Sequence, residues 1–219
     1  MSTSSLDLAS LLCSRLCHDL LSPVGALSNG LELLTDEKDP QMRQRCFELL
    51  EQSARISTDK LKFFRLAFGA AGGFGELVPL GEARDLVDAL VAGNKRITIE
   101  WGLASDSLPK PAVKTLLNLA LIGIEALVRG GTLDIGAELL SDEAGGGSVS
   151  EIVVRASGPR IAFDPDIGRA LEGKLAADQI SSRTAPATML CQLAEELGGG
   201  LQYSLGEGAL VMGAVLPVG

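Results

Sequence analysis

The chain holds a single histidine in 219 residues, His18. Its four cysteines, Cys13, Cys17, Cys46 and Cys191, form no C-x-x-C pair. Cys13 and Cys17 both precede His18 closely, but on a helix the ring points away from Cys13, and no second cluster of metal ligands exists. Core packing in a reducing compartment is the expectation for the thiols, which points to the cytoplasm. Basic side chains are scarce too: 19 Lys and Arg against 28 Asp and Glu, a formal charge of −9. Residues 1–70 carry eight basic and nine acidic groups, so the excess of negative charge lies beyond them. That balance speaks against nucleic-acid binding, which needs a basic surface. The opening MSTSSLDLAS has no basic stretch ahead of an apolar one, so no signal peptide is expected. No apolar run has the length and plainness of a membrane span.

What is present is ample core material: 46% hydrophobic residues and 21% charged ones. The strongest pattern is an apolar stripe through Ala9, Cys13, Leu16, Leu20, Val24, Leu27, Leu31 and Leu34, at alternating spacings of three and four. That is the period of a helix with one buried face. At about 100° per residue, His18 falls on the opposite side. The one group whose ordinary titration lies near neutrality is thus aimed away from the stripe. Asp19 follows it, where a carboxylate can orient the ring. Pro23 lies inside the pattern, where it removes a backbone donor and favours a kink. Gly25 and Asn29 share the His18 face and leave room for a partner.

The run His18-Asp19-Leu20-Leu21-Ser22-Pro23 resembles the phospho-accepting motif of sensor histidine kinase dimerisation helices: a histidine, then an acid, with proline fifth after the histidine. The wider chain resembles the histidine phosphotransferases. The resemblance implies a phosphorelay enzyme that shuttles a phosphoryl group between receiver aspartates through His18. The donor would be the receiver of a hybrid histidine kinase, and the acceptors response-regulator receivers. Asp19 would hydrogen-bond the second ring nitrogen and stabilise positive charge on the ring. No cofactor is expected in this chain, since any Mg²⁺ would belong to the partner receiver. The receiver should dock beside His18, with Leu11, Ser14, Arg15, Leu21, Ser22 and Gly25 as the expected exposed contacts. Arg55, Lys60, Lys62 and Arg65 could meet an acidic receiver or be a solvated face. Two rivals are an ATP-dependent histidine kinase core and a non-catalytic dimeric adaptor.

The fold expected is α+β. A first helix runs from Ser4 or Ser5 to about Thr35, and a second from Asp39 as N-cap and Pro40 to about Phe68. The second carries Met42, Cys46, Leu49, Leu50, Ile56, Leu61, Phe64 and Phe68 as apolar positions. A lone antiparallel hairpin cannot cover two apolar stripes, so residues 1–70 should pair with a second copy as a homodimeric four-helix bundle. Residues 70–75 read as a flexible junction. Residues 76–219 alternate helices with antiparallel strands, a two-layer α/β sandwich resembling the ATPase domain of histidine kinases. The residues there argue against ATP. Ile122 stands where the kinase's metal-chelating Asn would be, and Ala156 where its adenine-reading Asp would be. Arg183-Thr184-Ala185-Pro186-Ala187 replaces the second glycine turn. A retained fold with a lost nucleotide site is the expectation.

Overall fold

The computed structural model describes residues 4–69, 76–141 and 147–218. The junction expected at 70–75 lies outside them, as do residues 145 and 146 of the glycine loop. Helix α1 spans Ser5–Asp36, and the Ser4 hydroxyl accepts from the Asp7 amide as N-cap. Helix α2 spans Pro40–Ala67, with Asp39 as N-cap and Pro40 in the first turn, where its missing N–H costs nothing. The two pack as an antiparallel hairpin.

The contact face of α1 differs from the stripe expected. Its buried residues are Leu8, Arg15, Pro23 and Gly30, a repeat of seven or eight rotated from the apolar stripe. The buried residues of α2 include Cys46, Ser53, Ser57 and Phe64. Small residues win this seam because they let the helix axes approach. A Cβ on Gly30 would lie 2.8 Å from Leu50 Cδ2. The stripe itself is left partly uncovered in the single chain, with Val24 50% and Leu31 60% exposed.

The C-terminal part contains β1 (Leu77–Pro79), α3 (Leu80–Val91), β2 (Ile97–Leu103), β3 (Ser107–Pro109), α4 (Lys110–Ala126), β4 (Gly131–Ser141) and β5 (Ser148–Ser157). Then come α5 (Pro165–Leu171), a short 3₁₀ turn (Ala177–Gln179), α6 (Ala185–Glu196), β6 (Gly200–Gly206) and β7 (Ala209–Val218). The main sheet has the order β2-β4-β5-β7-β6. Its pairings are antiparallel except β2 with β4, which are parallel because α4 carries the chain back across the sheet between them. Strands β1 and β3 pair separately. Three residues each is too short for an alternation to show in sequence. Along β5 the residues alternate: Ser150, Ile152, Val154 and Ala156 turn inward, and Val153 and Arg155 turn out. The helices cover the inner face, giving two layers.

The hairpin and the sandwich share one core. Phe63, Phe64, Leu66 and Ala67 of α2 join Leu116, Leu119, Ala120 and the sheet in a continuous apolar cluster. Asn118, fully buried on α4, donates from Nδ2 to the Ala67 carbonyl at 3.1 Å. That bond satisfies a carbonyl in the last turn of α2, which has no partner within its own helix. Ile122 and Ala156 belong to the same cluster.

Candidate functional site

His18 lies midway along α1 with its side chain 82% exposed. The Asp19 side chain beside it is 17% exposed. His18 Nδ1 and Asp19 Oδ1 are 3.1 Å apart. An ionised carboxylate only accepts, so this contact requires the proton on Nδ1, and in the neutral ring that leaves the lone pair on Nε2.

Asp19 is held from two further directions. Its second oxygen, Oδ2, accepts from Arg15 Nε at 2.8 Å, one helical turn back. Its main-chain carbonyl accepts from Lys60 Nζ of α2 at 2.9 Å. That carbonyl is free for Lys60 because its helical donor would be residue 23, and Pro23 has no N–H. The proline thus opens a carbonyl that the neighbouring helix fills, while α1 runs on without interruption to Asp36. Burial alone would raise the Asp19 pKa. The hydrogen bonds from Arg15 and His18 and the charges of Arg15 and Lys60 outweigh it, and the carboxyl lies below its usual range.

Arg15 is 8% exposed and pairs with Glu125 at the end of α4 as well as with Asp19. Burial would lower its pKa, but Glu125 and Asp19 turn the shift upward. Arg15, His18, Asp19, Glu125, Ser182 and Arg183 line one polar cleft of about 390 Å³ between the hairpin and the sandwich. Arg183 sits at its rim, 3.4 Å from Asp164.

The expected receiver contacts divide. Ser14, Leu21 and Ser22 are exposed, and Leu21 is 69% so. Leu11 and Gly25 are half-buried. Nothing lies within 4 Å of a Cβ built on Gly25, so the way to the ring is open there. Arg15 is the correction: it is buried, not presented to solvent, because two carboxylates draw it inward. Of the basic residues on α2, Lys60 turns to Asp19, while Arg55, Lys62 and Arg65 remain exposed. Glu125, Ser182 and Arg183 were not legible as site residues. They lie more than 100 positions from His18, and no local pattern marks them. The described residues contain no group of three His, Cys, Asp or Glu side chains placed to hold a metal. No helix among them is long and apolar enough to cross a membrane.

Comparison with known proteins adds the following. The family model for the C-terminal domain of histidine phosphotransferases matches residues 80–209, a span that begins beyond His18. The protein phosphotransferase ChpT of Brucella abortus (strain 2308) is 36% identical over 195 residues, covering 89% of this chain and 88% of that protein. A solved structure of a bacterial phosphotransferase aligns with a TM-score of 0.81 and 32% identity over 98% of both chains.

Proposed function

We propose, from the premise that this chain belongs to the histidine phosphotransferase family, that His18 is the residue through which it passes phosphoryl groups. The enzyme is a phosphorelay histidine phosphotransferase, and its partners are components of a two-component phosphorelay. The observation that carries the assignment to His18 is the ring itself: exposed, with Nδ1 tied to Asp19 and Nε2 facing solvent. In the first half-reaction Nε2 attacks the phosphorus of a receiver's aspartyl phosphate. The Nε2–P bond forms, the P–O bond to the aspartate breaks, and that aspartate leaves as a carboxylate. Asp19 stabilises the positive charge that develops on the ring. In the second half-reaction the aspartate of another receiver attacks phosphorus, and His18 leaves as neutral imidazole. Positioning supplies most of the acceleration. Mg²⁺ for the reaction belongs to the receiver.

The donor is the receiver of a hybrid histidine kinase, and the acceptors are response-regulator receivers in the cytoplasm. Ser14, Leu21, Ser22 and Gly25 form the surface they meet around His18. The working form is a homodimer. An apolar groove of about 650 Å³ opens between α1 and α2, lined by Ala9, Leu12, Cys13, Leu16, Leu61 and Phe64. Val24, Leu31, Leu49 and Ile56 are exposed on the same hairpin. A second hairpin covers these groups as a four-helix bundle.

The test is incubation with a labelled phospho-receiver. Label should appear on this chain in a base-stable, acid-labile form and move on to a second receiver. His18→Ala should take up none, with its helical content unchanged, because truncating an exposed ring opens no cavity. Uptake by purified His18→Ala would remove the assignment.

A further inference from the structure

The Arg15–Glu125 ion pair takes no part in the reaction written above, yet it ends on a residue that does. Arg15 gives Nε to Asp19 Oδ2 and Nη2 to Glu125, and Asp19 keeps Oδ1 for His18. Each oxygen of the Asp19 carboxylate therefore has its own partner, and the plane of the group is set by the guanidinium. A guanidinium is a rigid planar fork. Where Glu125 holds one prong, the other follows.

We infer that Glu125 and Arg15 are positioning residues for phosphoryl transfer, the outer half of a relay Glu125–Arg15–Asp19–His18 through which the C-terminal domain sets the tautomer and aim of the accepting ring. The inference rests on His18 as the phospho-accepting residue.

Two arguments separate this from a strut between domains. The first is energetic. The junction is already held by the Phe63, Phe64, Leu66 and Ala67 packing and by the Asn118 bond. Burying an arginine in an ion pair contributes little net stability against the cost of desolvating it. Fixed geometry at Asp19 is what this pair supplies. The second is electrostatic. Charges alternate along the relay, so Glu125 offsets the pull of Arg15 on the Asp19 carboxylate and leaves that group a strong acceptor for Nδ1–H. Of the other charged groups nearby, Lys60 bonds the Asp19 main-chain carbonyl and adds its charge to that of Arg15 on the carboxylate, while Arg183 pairs with Asp164. Among the described residues, only Arg15 and His18 hydrogen-bond the Asp19 carboxylate.

The lone histidine makes the test direct, because the ring ¹⁵N spectrum of the full chain reports one imidazole type. A free imidazole favours the Nε2–H tautomer. In the wild-type protein, at a pH where the ring is neutral, Nδ1–H should dominate. Glu125→Gln and Arg15→Lys should each move the population toward Nε2–H. Each should also slow transfer from a phospho-receiver by roughly tenfold, the weight of about one hydrogen bond. Receiver affinity should stay unchanged, and Glu125→Asp should recover part of both losses. A pure strut would lower the melting temperature and leave the tautomer alone. Wild-type tautomer ratios in folded Glu125→Gln and Arg15→Lys would overturn the relay. If the wild-type protein took up no phosphoryl group while the tautomer still moved in the variants, the relay would stand and the reaction assigned to His18 would fall.

Discussion

Asp19 shows how much can be asked of one side chain. It orients the ring through Oδ1, takes a charge-assisted bond on Oδ2, and lends its carbonyl to another helix. Because its folded pKa is depressed, its linkage has a definite sign. The stability it contributes is complete above the unfolded carboxylate value of about 3.9. That contribution is lost as pH falls from there through the lower folded value. Asp19→Asn lacks the titration. Urea midpoints of wild type and Asp19→Asn should therefore differ by a constant amount from pH 7 down to about pH 4 and converge below it. A gap that stays constant through acid would show that Asp19 gains nothing from its partners. Sequence reasoning could single out His18 and Asp19 because both lie in one short run, and their side chains stand 3.1 Å apart. It misread Arg15, whose helix position gives no hint that a carboxylate 110 residues away draws it inward.

Helix α1 was legible as a helix but not in its rotation. Periodicity locates where apolar residues are, and here several of them, Val24 and Leu31 included, stay exposed in the single chain. The seam with α2 is built instead from Pro23, Gly30, Ser53 and Ser57, residues that carry no hydrophobic signal of their own or little of it. Gly30 is the informative position, because two effects oppose each other there. Gly30→Ala gains helix propensity of about 1 kcal/mol. The new Cβ meets only the Leu50 side chain, at Cδ2 and Cγ, and that side chain can turn aside. Its stability should stay within about 1 kcal/mol of wild type. Gly30→Leu brings branched bulk against the same side chain and should destabilise by about 1–3 kcal/mol. Circular-dichroism melts at matched protein concentration would compare them, since any dimer makes the midpoint concentration-dependent. Wild-type stability in Gly30→Leu would mean that the helices do not approach closely at this point.

At the scale of the molecule the α+β class and the order of long elements were readable, because each long helix and hairpin carries its own caps and alternation. The short β1–β3 pair was not, nor was the parallel β2–β4 contact, since both depend on where α4 places the chain. Assembly gives a prediction that separates intrachain from interchain packing. Val24 and Leu31 are exposed in the single chain. Val24→Asp with Leu31→Asp should therefore dissociate the proposed dimer while the sandwich stays folded, as read by sedimentation and near-ultraviolet dichroism. A folded dimer in the double variant would move the interface elsewhere. Nucleotide binding gives another. With Ile122 and Ala156 packed into the core, calorimetry with ATP and Mg²⁺ should show no binding in the micromolar range. Arg160 is exposed and could hold a phosphate weakly. Micromolar affinity would revive the kinase alternative.

Asn118 and Glu125 are seven residues apart on α4, two turns, so both face the hairpin, about 10 Å apart along the helix. One grips the end of α2 and the other the lower part of α1. Mechanically the hairpin of the single chain is a cantilever clamped at two points near its base. The free end, at the turn between α1 and α2, lies about 27 Å of helix beyond His18. A beam of this kind deflects most at its tip and least beside the clamp. The ring sits three residues from Arg15, one of the two clamps, where bending of such a beam displaces it least.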